Sequence, residues 1–168
     1  APFDDTTGGM NAGSAHVFVR LGVGWAPEAL LLAPDGAEND WFATAVAFSA
    51  DGSRALIGAP GDDIGWSDAG SAHVFLRTGS TWVAEAMLVA PDLQSDQLGC
   101  SVALSADGSR ALVGACMDDT PGLIDAGSAR VFLRSGTTWA QEATLIAPDA
   151  APTDRLGTAV AFSADGSR

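Results

Sequence analysis

The chain of 168 residues is 47% apolar and 17% charged, and it carries a formal net charge of −13. Its eight arginines stand against 21 carboxylates with no lysine to help, which excludes nucleic acid and anionic membrane surfaces as partners, since both need clustered positive charge. No apolar run approaches the roughly 18 residues of a membrane-spanning helix, and Ala1 opens no basic and hydrophobic leader, so a compact soluble body without membrane insertion is expected.

From the N-terminus, Ala1-Pro2-Phe3-Asp4-Asp5 leads into an alternating strand, GSAHVFVR, from Gly13 to Arg20. Trp25 and an Ala-Pro-Asp ending at Asp35 follow, then an apolar strand and the turn SADGSR ending at Arg54. After Gly58-Ala59-Pro60-Gly61-Asp62-Asp63 the series restarts, with GSAHVFLR from Gly70, then Trp82, Asp92 and SADGSR ending at Arg110. Gly114-Ala115-Cys116-Met117-Asp118-Asp119 opens a third pass, which gives GSARVFLR from Gly127, then Trp139, Asp149 and SADGSR ending at Arg168. Gly13, Gly70 and Gly127 stand 57 residues apart, and self-similarity at such a fixed period is the signature of a repeat architecture. The repeat units are 1–58, 59–114 and 115–168.

Each unit predicts four short strands. In the second they run over Ser71 to Arg77, Val83 to Val89, Gly99 to Ser105 and Arg110 to Ala115, separated by Gly, Asp, Ser and Pro clusters. Leu98, Cys100, Val102 and Leu104 alternate with Gly99, Ser101 and Ala103, so one face of the strand is bulky and the other nearly flat, as stacked sheets require. No segment places apolar residues at helical spacing over three turns, and an all-β fold follows. Four strands per unit point to β-propeller blades; a β-helix repeats far sooner, and an immunoglobulin-like sandwich uses about seven strands. The third unit stops at Arg168, where its neighbours continue into a further strand. The array is therefore expected to be three blades less one strand, part of a closed propeller or assembling into one.

Leu98-Gly99 and Leu156-Gly157 look like the FG element, and Gly58-Ala59-Pro60 the GAP element, of FG-GAP repeats. GAPGDD, then GSAHVF, then Thr-Trp with Glu-Ala, then an FG-type strand, resembles the bacterial branch of this integrin-like family along essentially the whole chain. The resemblance implies a propeller, usually of about seven blades, in secreted or surface proteins that bind partners or display other domains without catalysis. Phe42-Ala43 and Cys116 depart from the FG and GAP patterns. The family's calcium loop sets alternating aspartates before Asp-Gly. Here each such turn, at Asp51, Asp107 and Asp165, keeps a single carboxylate, whereas calcium takes six to eight oxygens. Asp-Gly flanked by serine is a hairpin turn on its own account.

Calcium is better sought in the loop after GAP, where Asp62, Asp63 and Asp68 recur as Asp118, Asp119 and Asp125, with Asp4 and Asp5 opening the chain. Such loops also arise without metal, because Asp caps turns through its own backbone. The repeated Trp25, Trp82 and Trp139 read as blade anchors, with stacking platforms for sugars as the alternative. Trp41 and Trp66 are not repeated and are the candidates for a specific ligand contact. His16 and His73 share a repeat position that Arg130 fills in the third unit, which argues against a general base, and no nucleophile motif or paired metal-ligand spacing occurs.

Cys100 stands where Thr44 and Thr158 do, and Cys116 where Pro2 and Pro60 do. Both departures fall on strands joined by one hairpin. A three-residue turn, Asp107 to Ser109, places the two cysteines opposite each other and predicts a disulfide; a two-residue turn places them on opposite faces. A disulfide suits an extracellular location. The sequence thus leads to a non-enzymatic secreted or cell-surface scaffold for a protein or glycan partner. The alternatives are a self-assembling repeat protein, as a dimeric ring or longer array, and a multivalent lectin.

Overall fold

In the computed structural model, which describes all residues except Leu93, Pro121 and Ala164, the fold is all-β. Ten strands form: β1 (Ala15–Leu21), β2 (Gly24–Leu31), β3 (Ala45–Phe48), β4 (Arg54–Ala59), β5 (Ser71–Thr78), β6 (Thr81–Leu88), β7 (Leu98–Leu104), β8 (Arg110–Ala115), β9 (Ser128–Ser135) and β10 (Thr138–Leu145). They make two four-stranded antiparallel sheets in sequence order, β3-β4-β5-β6 and β7-β8-β9-β10, preceded by the two-stranded β1-β2. The predicted strands of the second unit lie within a residue or two of β5 to β8. The sheets, however, straddle the repeat units: the cuts after residues 58 and 114 fall inside β4 and β8, because the FG strand, not the GAP strand, begins each blade. The third unit contributes β9 and β10. Beyond them Leu156 bridges Gly127, and Val160 and Phe162 lie on Ala103, Leu112 and Ala129.

The sheets stack face to face, and alternation along the strands assigns each side chain to one of two cores. Leu56, Val74 and Leu88 of the first four-stranded sheet meet Leu98, Val102, Leu104 and Val113 of the next, while Ala55, Ile57 and Phe75 turn back onto Val17 and Leu31 of the β1-β2 pair. The flat residues Ala45 and Ala47 pack beside bulky Val102 and Leu104, the complementarity that the alternating pattern predicts. Burying each large apolar side chain contributes about 1.5–3 kcal/mol, so a strand buried on both faces stabilises two interfaces at once.

The FG and GAP glycines explain one another. Gly58 on β4 lies against Gly99 at the start of β7 in the next sheet, and a Cβ on Gly58 would overlap the Gly99 carbonyl oxygen. Gly99 has φ +98°, and a Cβ there would overlap the Ser71 carbonyl oxygen. Gly114 and Gly157 repeat the contact one blade further on. Neighbouring blades therefore touch backbone to backbone, which only glycine permits.

Candidate interaction cleft and carboxylate clusters

The first two SADGSR segments each fold into a loop closed by a serine and an aspartate. Asp51 Oδ1 accepts from the Ser49 hydroxyl at 2.7 Å and the Ser53 amide at 2.9 Å, and Asp107 repeats this with Ser105 and Ser109. These bonds, the serine hydroxyl foremost, hold both carboxyls down at about 2. The single carboxylate is committed to the turn, as the reduced loop led us to expect. Of the third such turn, Ala164 lies outside the described residues.

The acidic loop after GAP does not gather its aspartates. The first of each pair turns inward: Asp62 Oδ2 accepts from Ser71 Oγ at 2.7 Å, Asp4 from Ser14 at 2.6 Å, and Asp118 from Ser128. The second caps its own loop. Asp63 Oδ1 accepts the Asp68 amide and Asp119 Oδ1 the Asp125 amide, each at 2.9 Å, and Asp5 the Asn11 amide at 3.0 Å. Among the described residues, the expected ion-binding set of Asp4, Asp5, Asp62, Asp63, Asp68, Asp118, Asp119 and Asp125 divides between carboxylates turned onto serines (Asp4, Asp62, Asp118) and carboxylates that cap their own loops (Asp5, Asp63, Asp119), with Asp68 and Asp125 giving backbone amides to the caps. Among the described residues the one group of three ligand atoms within 4.8 Å is Asp35, Asp62 and His73.

Behind each inward aspartate sits a different partner. His73 Nε2 lies 3.0 Å from Ser71 Oγ and 3.9 Å from both Asp35 and Asp62. In the following repeat Arg130, buried, reaches Asp92 at 3.0 Å, Asp118 at 3.2 Å and Asp96 at 3.3 Å. Burial, with Asp118 and Asp92 adding, still raises Asp96 to about 6 against the pull of Arg130. Asp40, its counterpart one repeat earlier, is likewise raised to about 6 by burial.

A cleft of about 580 Å³ opens beside this cluster and shares Asp92 and Asp96 with it, with Trp66, Met117, Asp119 and Asp125 among its other lining residues. Trp66 and Ile124, 66% and 68% exposed, supply apolar surface, and Asp92, Asp96, Asp119 and Asp125 supply negative charge. The structure therefore joins Trp66 to two of the loop aspartates. Trp41 is placed elsewhere, half-buried with φ +54° beside Gly61. Met117 and Gln94 of the cleft carried no sequence signal, being unrepeated loop residues. Trp82 and Trp139 pack against the inter-sheet cores, Trp82 donating from Nε1 to Glu28 at 3.2 Å, while Trp25 is exposed.

The hairpin register differs from both expectations for the cysteines. Ser105 pairs with Arg110 around a four-residue loop, and β7 carries a bulge between Leu98 and Ser101 that holds Gly99 and Cys100. The bulge brings the thiols together without a direct cross-strand pair. Both are free; the Cys100 thiol donates to the Gly157 carbonyl oxygen at 3.6 Å, and the interaction of the two sulfurs lowers Cys116 to about 7 and pushes Cys100 up.

A family model of the FG-GAP repeat matches residues 25–75, 82–132 and 139–166, most of the chain. The chain belongs to the FG-GAP repeat family. No curated protein of similar sequence was found. FG-GAP repeats form a propeller-type interaction fold that is generally non-catalytic and typical of extracellular proteins. The two four-stranded sheets are FG-GAP blades, and the glycine contact between β4 and β7 is the physical content of the motif. Among the described residues no helix is long and apolar enough to cross a membrane.

Proposed function

We propose that the chain is a non-enzymatic interaction domain of a secreted or cell-surface protein, and that it holds a positively charged protein segment in the acidic cleft beside Trp66. The observation that carries this reading is the cleft itself, a volume of about 580 Å³ with an exposed indole at its edge, lined by Asp119 and Asp125 and by Asp92 and Asp96, whose charges are already shared with Arg130. A Lys or Arg side chain entering it meets charge complementarity and the Trp66 ring face together. The whole-chain charge of −13 steers such a partner inward. Ser71, Asp62 and His73 offer no nucleophile: the Ser71 hydroxyl is fully buried and donates to Asp62 instead of to the histidine. The GAPGDD and GSAHVF wording supports a bacterial member of the family. The test is a titration of Arg-rich peptides followed by tryptophan fluorescence. Saturable quenching that weakens with salt and is lost in Trp66→Ala supports the reading; equal binding by wild type and Trp66→Ala contradicts it.

One observation favours self-assembly as a second reading. Phe18, Phe75 and Phe132 are equivalent in the repeat, yet Phe75 and Phe132 are 4% and 3% exposed and Phe18 is 54% exposed. The face carrying Phe18 suits another blade of the same kind. Light scattering decides: a dimer that dissociates in Phe18→Asp supports the reading, and a monomer at all concentrations sinks it. The glycan reading rests on Trp66 and Trp25, and a glycan array tests it. Calcium at the loop aspartates is tested by its effect on the melting temperature.

A further inference from the structure

We infer that Asp35, Asp62 and His73 form a binding site for one divalent transition-metal ion of the zinc type, at a position where the next repeat carries its own internal cation. The argument rests on repeat equivalence. Asp35, Asp62, Ser71 and His73 correspond to Asp92, Asp118, Ser128 and Arg130. In the later repeat the Arg130 guanidinium sits among Asp92, Asp96 and Asp118 at 3.0 to 3.3 Å, a cation held by carboxylates in a buried setting. In the earlier repeat the same carboxylate positions are kept, including buried Asp40 opposite Asp96, but the guanidinium is replaced by an imidazole. The negative groups persist and the built-in positive charge does not.

The chemistry of the donors selects the ion. Two carboxylate oxygens and an imidazole nitrogen suit zinc, nickel or copper, whereas calcium asks for more oxygens and no nitrogen. Ser71 gives its one hydroxyl proton to Asp62, so its oxygen is left to accept from His73 Nε2 at 3.0 Å; an ion bound at Nε2 takes the place of that proton, which the imidazole then carries on Nδ1. The three ligand atoms lie within 4.8 Å of one another, with Nε2 3.9 Å from each carboxylate. Tetrahedral ligands on one zinc ion at roughly 2.0–2.2 Å bond lengths stand about 3.3–3.6 Å apart, so the donors must draw in by about half an ångström to an ångström. Asp35 can supply the movement, since its side chain is 46% exposed on the loop after β2 while Asp62 and His73 are buried. A cleft of about 320 Å³, lined by Pro34, Asp35, His73 and Met87, leads from solvent to the site and leaves room for water as a fourth ligand. The first repeat pairs Asp4 with Ser14 beside exposed His16, and Asp35, Asp62 and His73 are the one group of three among the described residues, so one ion is expected.

The experiment strips the full chain with chelator and titrates Zn²⁺ by calorimetry, with melting temperature as a second readout. Saturation at one Zn²⁺ per chain with a raised melting temperature is expected. Asp35→Asn, at an exposed position that leaves the fold intact, should weaken binding by at least about tenfold. His73→Arg copies the later repeat, so it should fold, bind no zinc, and melt at or above the temperature of the metal-free protein. His16→Ala should bind zinc like the wild type. Absence of saturable binding, binding unchanged in both Asp35→Asn and His73→Arg, loss in His16→Ala, or an equal response to Ca²⁺ would each overturn the assignment.

Discussion

Replacing Gly58 or Gly99 by alanine probes the contact that joins the two blades. At Gly58 the added methyl would sit on the Gly99 carbonyl oxygen, far inside the 3.0 Å that real Cβ atoms essentially never cross, and the obstacle is backbone, which cannot rotate away. Opening the sheets to make room loosens the core of Leu56, Val74, Leu98 and Val102. Overpacking of this kind costs about 1–3 kcal/mol or more. Gly99→Ala adds the cost of a non-glycine residue at φ +98°, about 1–2 kcal/mol, on top of its overlap with the Ser71 carbonyl. For Gly99→Ala the total comes to about 2–5 kcal/mol, a fall in melting temperature of about 4–20 °C for a chain of this size. Because each methyl forces the same gap, the double variant should cost clearly less than the sum of the singles. Urea unfolding of the four proteins measures this. Single costs below about 0.5 kcal/mol, or strict additivity, would refute the backbone contact as the basis of the motif. Ala43 supplies the converse: it holds φ +71° at the FG position of the first repeat, so Ala43→Gly should be neutral or stabilising by up to about 1 kcal/mol.

Phe75→Ala and Phe132→Ala should each cost about 3–5 kcal/mol, but Phe18→Ala less than about 1 kcal/mol in the monomer, because only the first two fill a core; chemical denaturation reads the difference. Arg130→Met leaves Asp92, Asp96 and Asp118 without their shared cation and should cost about 3–5 kcal/mol, visible as a lower urea midpoint. Stability should pass through a maximum between about pH 4 and 5. Asp51 and Asp107, lowered to about 2, contribute stability that is complete above about pH 4 and lost as pH falls toward 2, whereas Asp96, raised to about 6, contributes stability that declines as pH rises from about 4 to 6. Thermal melts across this range check both limbs. Oxidised glutathione, attacked by the Cys116 thiolate and displaced by Cys100, should leave an intramolecular disulfide with reduced glutathione as the other product. Mass spectrometry of the unreduced protein would instead show a stable glutathione adduct if the thiols were too far apart.

The strands were legible because their signal is local. Alternation in GSAHVFLR and in the Leu98–Leu104 segment, bounded by glycine and aspartate, places β5 and β7 almost to the residue. Which strands share a blade was not legible, since a repeat can be cut at any phase and only hydrogen bonding shows that β7 begins a sheet. The cysteine register failed on a bulge at Gly99, set by how Gly99 fits against the preceding blade, and on a four-residue loop closed by Ser105 and Asp107, neither visible to counting. For the acidic loops, composition showed where the carboxylates are but not which way they face. The inward row of Asp62 and Asp118 depends on Ser71 and Ser128, which open the following strands at the far end of each loop. The replacement of His73 by Arg130 was visible in the sequence; its meaning needed Asp35 and Asp92, which come from loops that only the fold brings alongside.

The central functional claim is that partners dock in the cleft between neighbouring blades. Hydrogen–deuterium exchange of the full chain with and without an Arg-rich peptide tests it most directly, because it reports where binding falls without assuming a residue. Protection confined to the loops around Asp62–Asp68, Pro91–Gln97 and Cys116–Ala126 is the predicted result. Protection spread over the outer strands β2, β6 and β10, or no change at peptide concentrations that quench Trp66, would contradict the account.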